Sequence, residues 1–118
     1  MPGLSIHVVD VAGGRVAQGM RVEVRYAEGE GCLQPLADGP VSASGLLEDE
    51  RLARRFAPGR VQVRFHVAHW YRQAGSVLPQ PPFLDVVVFD FGLADPGAHY
   101  HLPFKCTPWG YSCFRGGA

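Results

Sequence analysis

The sequence predicts an all-β domain: an antiparallel β-sandwich of seven to eight short strands with one short helix. Three observations support this fold class. Apolar and polar residues alternate with period two in several segments, 15 glycines and 10 prolines recur along the chain, and strands do not alternate regularly with helices. Glycine and proline spread in this way separate many short elements by turns. The chain is long enough to bury a core without metals or disulfides, so residues 1–118 are expected to form one domain.

The first two strands have clear patterns. Residues 4–11 are rich in β-branched side chains and end at two glycines, and residues 20–26 alternate apolar with charged side chains. Residues 29–45 contain four glycines and two prolines. They are predicted to be loop with one short strand, near residues 33–36 or near residues 40–43.

The middle of the chain is predicted to hold one strand and the helix. Charges crowd in residues 46–56, which fit a helix or a short edge strand equally well. Residues 60–67 alternate with period two and are predicted to form a strand. The helix is best placed at residues 68–73, closed by Gly75.

The last part of the chain is predicted to contain three strands. Residues 83–91 form the most continuously apolar run, which predicts a central strand. Residues 95–97, Asp-Pro-Gly, are a turn signal. Residues 99–105 and 109–115 are then expected to pair as the last two strands.

Composition excludes several classes of function. The 11 basic and 11 acidic residues balance and are scattered, so no basic face for nucleic acid or an anionic membrane is expected. No segment approaches the roughly 18 apolar residues of a membrane span, and the N-terminus lacks a secretory pattern, which indicates the cytoplasm. The three cysteines are odd in number and match no zinc spacing, so they are interpreted as thiols, with no metal or cofactor. They are Cys32, Cys106 and Cys113.

Five histidines are the first candidates for acid/base chemistry. His7 interrupts an apolar strand and shares a strand face with Ser5 and Val9. His99 and His101 lie two residues apart on one predicted strand, so they share a face and could bind a metal or a polar ligand. No third ligand lies at a fixed short spacing, so a metal is not expected. The other two flank the start of the predicted helix, where they are expected to cap it or face solvent; they are His66 and His69.

Other catalytic signatures are missing from the sequence. There is no Gly-x-Ser-x-Gly nucleophile motif, and the glycine pair after the first strand does not open a helix as a phosphate loop does. Cys113, next to Ser112, is interpreted as a structural thiol. The histidines therefore remain the main candidates.

Several motifs together resemble a known family. They are Leu-Ser-Ile-His-Val-Val-Asp at residues 4–10, a Gly-terminated turn at residues 41–45, Asp-Pro-Gly at residues 95–97, His-Tyr-His-Leu-Pro at residues 99–103, and Thr-Pro-Trp-Gly-Tyr-Ser-Cys-Phe-Arg-Gly-Gly at residues 107–117. This set is similar to the transthyretin-related family, whose enzymes hydrolyse 5-hydroxyisourate in urate breakdown. The resemblance spans nearly the whole chain.

The resemblance implies a prealbumin-like β-sandwich, a homotetramer assembled as a dimer of dimers, and active sites where the dimers meet. It implies that His7 and His101 form an acid/base pair that activates water against a small heterocyclic substrate. An apolar rim near Phe104, Trp109 and Phe114 makes self-association physically reasonable. Substrate-binding positions implied by the resemblance are Leu46, His99, Ser112, Phe114, Arg115 and Gly117.

The sequence departs from the family pattern at two places. The family's substrate-binding arginine follows the glycine of the turn, and here that residue is Leu46, which lacks the bidentate fork that recognises carboxylate-like edges. At the end of the chain, Phe114 replaces a tyrosine, and Gly117 with Ala118 replaces a terminal serine. Efficient hydrolysis of 5-hydroxyisourate is therefore not expected unless a neighbouring arginine reaches the site: Arg51, Arg54 or Arg55.

Three functions follow as hypotheses. The first is an enzyme that hydrolyses, opens or rearranges a ring other than 5-hydroxyisourate in a specialised pathway. The second is the 5-hydroxyisourate hydrolase of urate catabolism. The third is a non-catalytic tetramer that binds a ligand. The two histidines, His7 and His101, favour an enzyme, and the leucine at position 46 favours a changed substrate.

Overall fold

The structure is a computed structural model that describes residues 2–117. The described residues form eight strands, one α-helix and one turn of 3-10 helix. In chain order these are β1 (Gly3–Asp10), β2 (Arg15–Val16), β3 (Arg21–Glu28), β4 (Gln34–Pro40), the 3-10 turn (Glu50–Leu52), β5 (Gly59–His66), α1 (Val67–Gln73), β6 (Val86–Leu93), β7 (His99–Thr107) and β8 (Gly110–Cys113).

The strands form two sheets of four. The terminal sheet has the order β2-β1-β7-β8 and contains the first and last strands, and the middle sheet has the order β4-β3-β5-β6. The predicted β-sandwich is confirmed, with one difference from a purely antiparallel arrangement, because β1 pairs with β7 in parallel. A parallel pair needs a long crossover, and the whole middle sheet lies in the chain between these two strands.

The core lies between the two sheets and follows from the period-two patterns. On β1, Leu4, Ile6 and Val8 are buried, while the residues between them are only partly covered. The rings of Phe65 and Phe104 stack across the sandwich with centroids 3.8 Å apart. Phe104 is therefore a core residue and not part of an apolar rim, and the alternation turns the odd-numbered residues of β7 outward.

The predicted central strand is an edge strand, which corrects the interpretation of residues 83–91. β6 pairs only with β5, and its outward side chains Val86 and Val88 are 39% and 42% exposed. A continuous apolar run predicts burial on both faces. It does not distinguish a central strand from an edge strand whose outer face is also apolar.

Other local predictions hold with adjusted bounds. The short strand in the first long loop is β4, which matches the alternative near residues 33–36. The charged segment after it contains the 3-10 turn and one isolated bridge residue, Leu46. The helix ends before Gly75, whose φ is +99°. His66 occupies the N-cap position without capping; its Nε2 lies 2.7 Å from Glu23 Oε2. His69 is exposed. None of the described helices is long and apolar enough to cross a membrane.

Candidate functional site

Four polar side chains meet on the outer face of the terminal sheet. Ser5 and His7 alternate with buried residues on β1, and His99 and His101 do the same on β7. The parallel register places Ser5 opposite His101. We call these four residues the histidine face. Their common orientation follows from alternation, and their proximity follows from the pairing of the two strands.

Ser5 links the two histidines of β7. Its Oγ lies 2.8 Å from His99 Nε2 and 2.6 Å from His101 Nδ1. A hydroxyl carries one proton, so one ring accepts a hydrogen bond from Oγ and the other donates one to it. The contact fixes both rings, and His101 Nε2 makes no hydrogen bond within residues 2–117. That nitrogen is available for acid/base chemistry at the surface.

The environment of His101 favours its neutral form. Burial lowers the pKa of His101 below its ordinary value, and the nearby His7 and His99 lower it further. A neutral imidazole has a lone pair that can accept a proton near neutral pH. His99 differs, because its Nδ1 is buried and has no hydrogen-bond partner among the described residues. Of the two histidines on β7, His101 is therefore the better placed to act as a base.

His7 is held by the turn that precedes Leu46. His7 and Leu46 form an isolated antiparallel bridge, flanked by a hydrogen bond of 2.8 Å from the Val8 N–H to the Gly45 carbonyl. Residues directly opposite in such a bridge share a face, so half-buried Leu46 lies beside His7. Gly45 has a φ of +86°, and a Cβ there would lie 2.6 Å from His7 Nε2. The turn therefore requires glycine to accommodate the imidazole.

The C-terminal tail packs against His101. The Gly116 N–H donates a hydrogen bond of 2.7 Å to the His101 carbonyl, and a Cβ on Gly116 would lie 2.9 Å from His101 Cδ2. Ser112 is opposite Lys105 in the β7–β8 pair. Alternation places Ser112 and Phe114 on the same outer face as the histidines. The tail therefore borders the site, while Gly117 is exposed and Ala118 lies outside the described residues.

Arg115 lies on the opposite side of the tail. Its guanidinium carbon is 4.0 Å from the centroid of the Tyr100 ring, and Tyr100 belongs to the buried face of β7. Arg115 also lines a cavity of about 290 Å³ with Phe89 and Phe91 of β6. His101 lines this cavity as well, whereas the other three residues of the histidine face do not. Arg115 and His101 therefore border one cavity, while the Arg115 guanidinium lies over the Tyr100 ring.

Two of the three arginines considered as replacements are engaged with other side chains. Arg51 Nη2 lies 2.6 Å from Asp49 Oδ2, and Arg54 stacks 4.3 Å from the centroid of the Phe56 ring. Arg55 lies near the turn at Gly97. The cation on the outer face of β7 is instead Lys105, whose Nζ lies 6.0 Å from the Phe114 ring centroid.

Sequence reasoning did not identify Ser5 or Lys105 as site residues. The signal for both was their spacing, since Ser5 is two residues from His7, and Lys105 continues the odd-numbered series of His99 and His101. The cysteines offer no alternative nucleophile on this sheet. Burial raises the pKa of the Cys106 thiol to about 11 and that of Cys113 to about 12, so both are thiols at neutral pH.

No metal centre is apparent in residues 2–117. Within that range, no group of three or more histidine, cysteine, aspartate or glutamate side chains is placed to hold a metal ion. The chemistry that the histidine face can supply by itself is proton transfer. The outward Nε2 of His101 could accept a proton from water or a substrate, and His7 lies on the same face to supply one.

Comparison with known proteins identifies a consistent group of relatives. The sequence model of the HIUase/Transthyretin family matches residues 4–116. The 5-hydroxyisourate hydrolase 2 of Rhizobium meliloti is 37% identical over 118 residues, covering 96% of this chain and 94% of the relative. The 5-hydroxyisourate hydrolase of Ralstonia nicotianae is 39% identical over 122 residues, covering 98% and 99% of the two chains.

Two solved structures are similar in fold. The 5-hydroxyisourate hydrolase of Klebsiella pneumoniae has a TM-score of 0.78 and 26% identity, covering 99% of this chain and all of that chain. An (S)-allantoin synthase has a TM-score of 0.88 and 26% identity, covering 98% of this chain. This chain corresponds to 43% of the longer synthase chain. Both neighbours are named as enzymes.

Proposed function

Since the chain belongs to the HIUase/transthyretin family, we propose that it is an enzyme that hydrolyses, opens or rearranges a small heterocyclic ring with His7 and His101 as its acid/base pair. The relatives named as hydrolases and the neighbour named as a synthase support a small-molecule, ring-processing enzyme. The main support for these two residues is the contact between Ser5 and His101. Ser5 holds His101 by Nδ1 and leaves Nε2 facing outward on the same face as His7.

In the hydrolysis of a cyclic amide, His101 would act as the base and His7 as the acid. His101 Nε2 takes a proton from water, and the water oxygen bonds to the ring carbonyl carbon. The carbon–nitrogen bond of the ring then breaks, and protonated His7 gives its proton to the leaving nitrogen. The proton on His101 returns to His7 through solvent, so the pair is restored. The lowered pKa of His101 supports its role as the base.

Ser5 and His99 act as positioning residues in this scheme. Ser5 Oγ accepts a hydrogen bond from His101 Nδ1–H, and the Ser5 O–H donates a hydrogen bond to His99 Nε2. This arrangement selects the tautomer of His101 whose Nε2 has the lone pair. The two contacts, 2.6 and 2.8 Å, place Ser5 Oγ within hydrogen-bond reach of both rings, and the proposed role of His101 as the base assigns the tautomers.

The substrate is proposed to be a ring other than 5-hydroxyisourate. Leu46 stands beside His7 where the family resemblance implies an arginine, and it provides no hydrogen bond to a polar ring edge. Arg51 and Arg54 are engaged with Asp49 and Phe56. Loss of a charged hydrogen bond to a buried ligand costs about 2–5 kcal/mol, which disfavours a substrate that needs such a contact.

A second candidate function is hydrolysis of 5-hydroxyisourate itself. It is favoured by the names of the relatives that are 37% and 39% identical over nearly the whole chain. The two candidates share the histidine pair and differ in what occupies the space around Leu46. A third alternative is a non-catalytic protein that binds its ligand without converting it, and turnover measurements distinguish it from the two enzymes.

We also propose that the chain is one domain that assembles as a homotetramer. β6 and β8 each lie at the edge of a sheet. Large apolar side chains are exposed on or next to these edges, as in interfaces between subunits. They are Val86, Val88, Trp109 and Tyr111.

The proposed function is tested by turnover of a panel of cyclic amides that includes 5-hydroxyisourate freshly made by urate oxidase. The wild type is expected to accelerate opening of at least one ring, and His101→Ala to lose about 100-fold or more of that rate. His69→Ala, which removes an exposed histidine of α1, is the matched control and should retain full activity. A His101→Ala variant as active as the wild type would refute the acid/base assignment. Tight binding of a cyclic amide without turnover would favour the non-catalytic, ligand-binding alternative.

A further inference from the structure

Lys105 is the one lysine of the sequence, and it lies on the same strand and the same face as the two histidines of β7. Residues 99, 101, 103 and 105 alternate with the buried residues of β7, so their side chains point outward together. Lys105 also pairs with Val9, which is two residues beyond His7 on β1. The lysine is therefore part of the surface on which the histidine face lies.

The side chain of Lys105 extends toward the C-terminal tail. Its Nζ lies 6.0 Å from the centroid of the Phe114 ring, at the outer limit of a cation–π contact. Phe114 directly follows β8, and the tail then runs toward His101, whose carbonyl accepts a hydrogen bond from the Gly116 N–H. The ammonium group therefore lies over the tail residue that borders the site, and Phe114 offers a flat apolar surface beside it that is 46% exposed.

The charge of Lys105 is not neutralised by a neighbouring carboxylate. Among the ion pairs of residues 2–117, none includes Lys105. Arg51 is paired with Asp49, and the guanidinium groups of Arg54 and Arg115 lie over the rings of Phe56 and Tyr100. Lys105 is thus an exposed, uncompensated cation on the histidine face's own sheet surface, while the position beside His7 is the apolar Leu46.

We propose that Lys105 binds the anionic group of the substrate, so that the substrate is a planar heterocycle carrying one anionic oxygen. An ammonium is a point charge with three donors, and it holds a single anionic oxygen where a guanidinium would hold a two-atom edge. The ring stacks on Phe114 with its anionic oxygen toward Lys105, and the bond to be broken lies toward His101. This inference rests on the proposed function, because it places a substrate on the same face.

The binding of urate tests the proposal, since urate is a planar heterocyclic anion at neutral pH, and hypoxanthine is its uncharged counterpart. Dissociation constants for both are measured by isothermal titration calorimetry at low ionic strength. Lys105→Met, which keeps the length of the side chain, is expected to weaken urate binding about 10- to 100-fold. It should leave hypoxanthine binding unchanged, and Lys105→Arg should retain most of the affinity for urate. Arg25→Met, which removes a positive charge from the middle sheet, is the matched control and should bind urate as the wild type does.

The outcomes separate this proposal from the proposed function. Equal urate affinity in the wild type and Lys105→Met overturns it, as does a wild type that does not bind urate. His101→Ala is expected to bind urate and lose turnover of the rings. If His101→Ala loses turnover but Lys105→Met binds urate normally, the lysine proposal fails and the acid/base assignment stands. If Lys105→Met loses urate binding but His101→Ala keeps its turnover, the acid/base assignment fails and the lysine contact stands.

Discussion

Replacing Ser5 with alanine tests how the histidine face is organised. Ser5→Ala removes the oxygen that contacts His101 Nδ1 at 2.6 Å and His99 Nε2 at 2.8 Å. Both rings then lose their only hydrogen-bond partner within the described residues. His101 is free to take either tautomer and to rotate, and only one tautomer leaves the lone pair on Nε2. The variant therefore reduces the fraction of enzyme in the competent form.

The size of the effect follows from the two contacts. Outer partners that orient a functional histidine are worth about 10- to 100-fold in activity, so kcat is expected to fall within that range. KM is expected to change little, since Ser5 is not proposed to touch the substrate. The hydroxyl oxygen also stabilises the protonated ring by accepting from Nδ1–H, so its loss lowers the pKa of His101 further. The acid limb of the pH–rate profile should therefore move to lower pH.

The assay is turnover of the best cyclic amide substrate from pH 5 to 9, with kcat and KM separated at each pH. Ser5→Thr keeps the hydroxyl and is expected to restore most of the rate, which an effect of packing alone would not explain. Circular dichroism of the variant checks that the sandwich is intact. An unchanged plateau rate in Ser5→Ala, or an acid limb that moves to higher pH, would refute the positioning role.

Two further substitutions address the turn and the buried network. Gly45→Ala places a Cβ 2.6 Å from His7 Nε2 at a φ of +86°, so it should lower the free energy of unfolding by about 1–3 kcal/mol and reduce turnover. Gly14→Ala is the control, because Gly14 has a φ of +66° but no atom lies within 4 Å of its added Cβ; this variant should keep full turnover. An equal loss of turnover in Gly45→Ala and Gly14→Ala would show that contact with His7 is not the cause. Tyr71→Phe removes the O–H that donates to buried Asp10, costing about 1–3 kcal/mol in urea unfolding at pH 7. Burial alone would raise the pKa of Asp10, but hydrogen bonds from Tyr71, Gly13 and Arg15 together hold it below its ordinary value. The Asp10 carboxylate therefore stabilises the fold above its pKa in the unfolded chain, and this stability is lost as the pH falls through its pKa in the folded protein. We expect acid unfolding of Tyr71→Phe to begin at a higher pH than that of the wild type. An unchanged acid transition would argue against the hydrogen-bond network.

Local patterns in the sequence were sufficient for the strands and for the direction of single side chains. Alternation on β1 predicted that His7 faces away from Leu4, Ile6 and Val8, and the structure confirms this. The hairpin of β7 and β8 also followed from the sequence, because its strands are joined by a short turn. These features depend on residues that are close together along the chain.

Features that depend on distant pairing were not predictable. The double contact of Ser5 requires the parallel register of β1 with β7, which joins segments at opposite ends of the sequence. The side of the tail on which Arg115 lies depends on the register of β8 and on the packing of Tyr100. The edge position of β6 could not be read from its apolar pattern, since an exposed apolar face and a buried one have the same composition.

We propose that the acid/base pair is kept while the substrate contact beside His7 is changed. The decisive measurement is the decay of 5-hydroxyisourate with the wild type, Leu46→Arg and Leu46→Arg/His101→Ala. The metabolite is generated by urate oxidase, and its absorbance is followed with equal amounts of each protein. We expect slow decay with the wild type and a decay rate about tenfold or more higher with Leu46→Arg, since one charged hydrogen bond contributes about 1.5–3 kcal/mol. The added His101→Ala should abolish that gain. A wild type that already hydrolyses 5-hydroxyisourate rapidly, with no gain from Leu46→Arg, would contradict the claim.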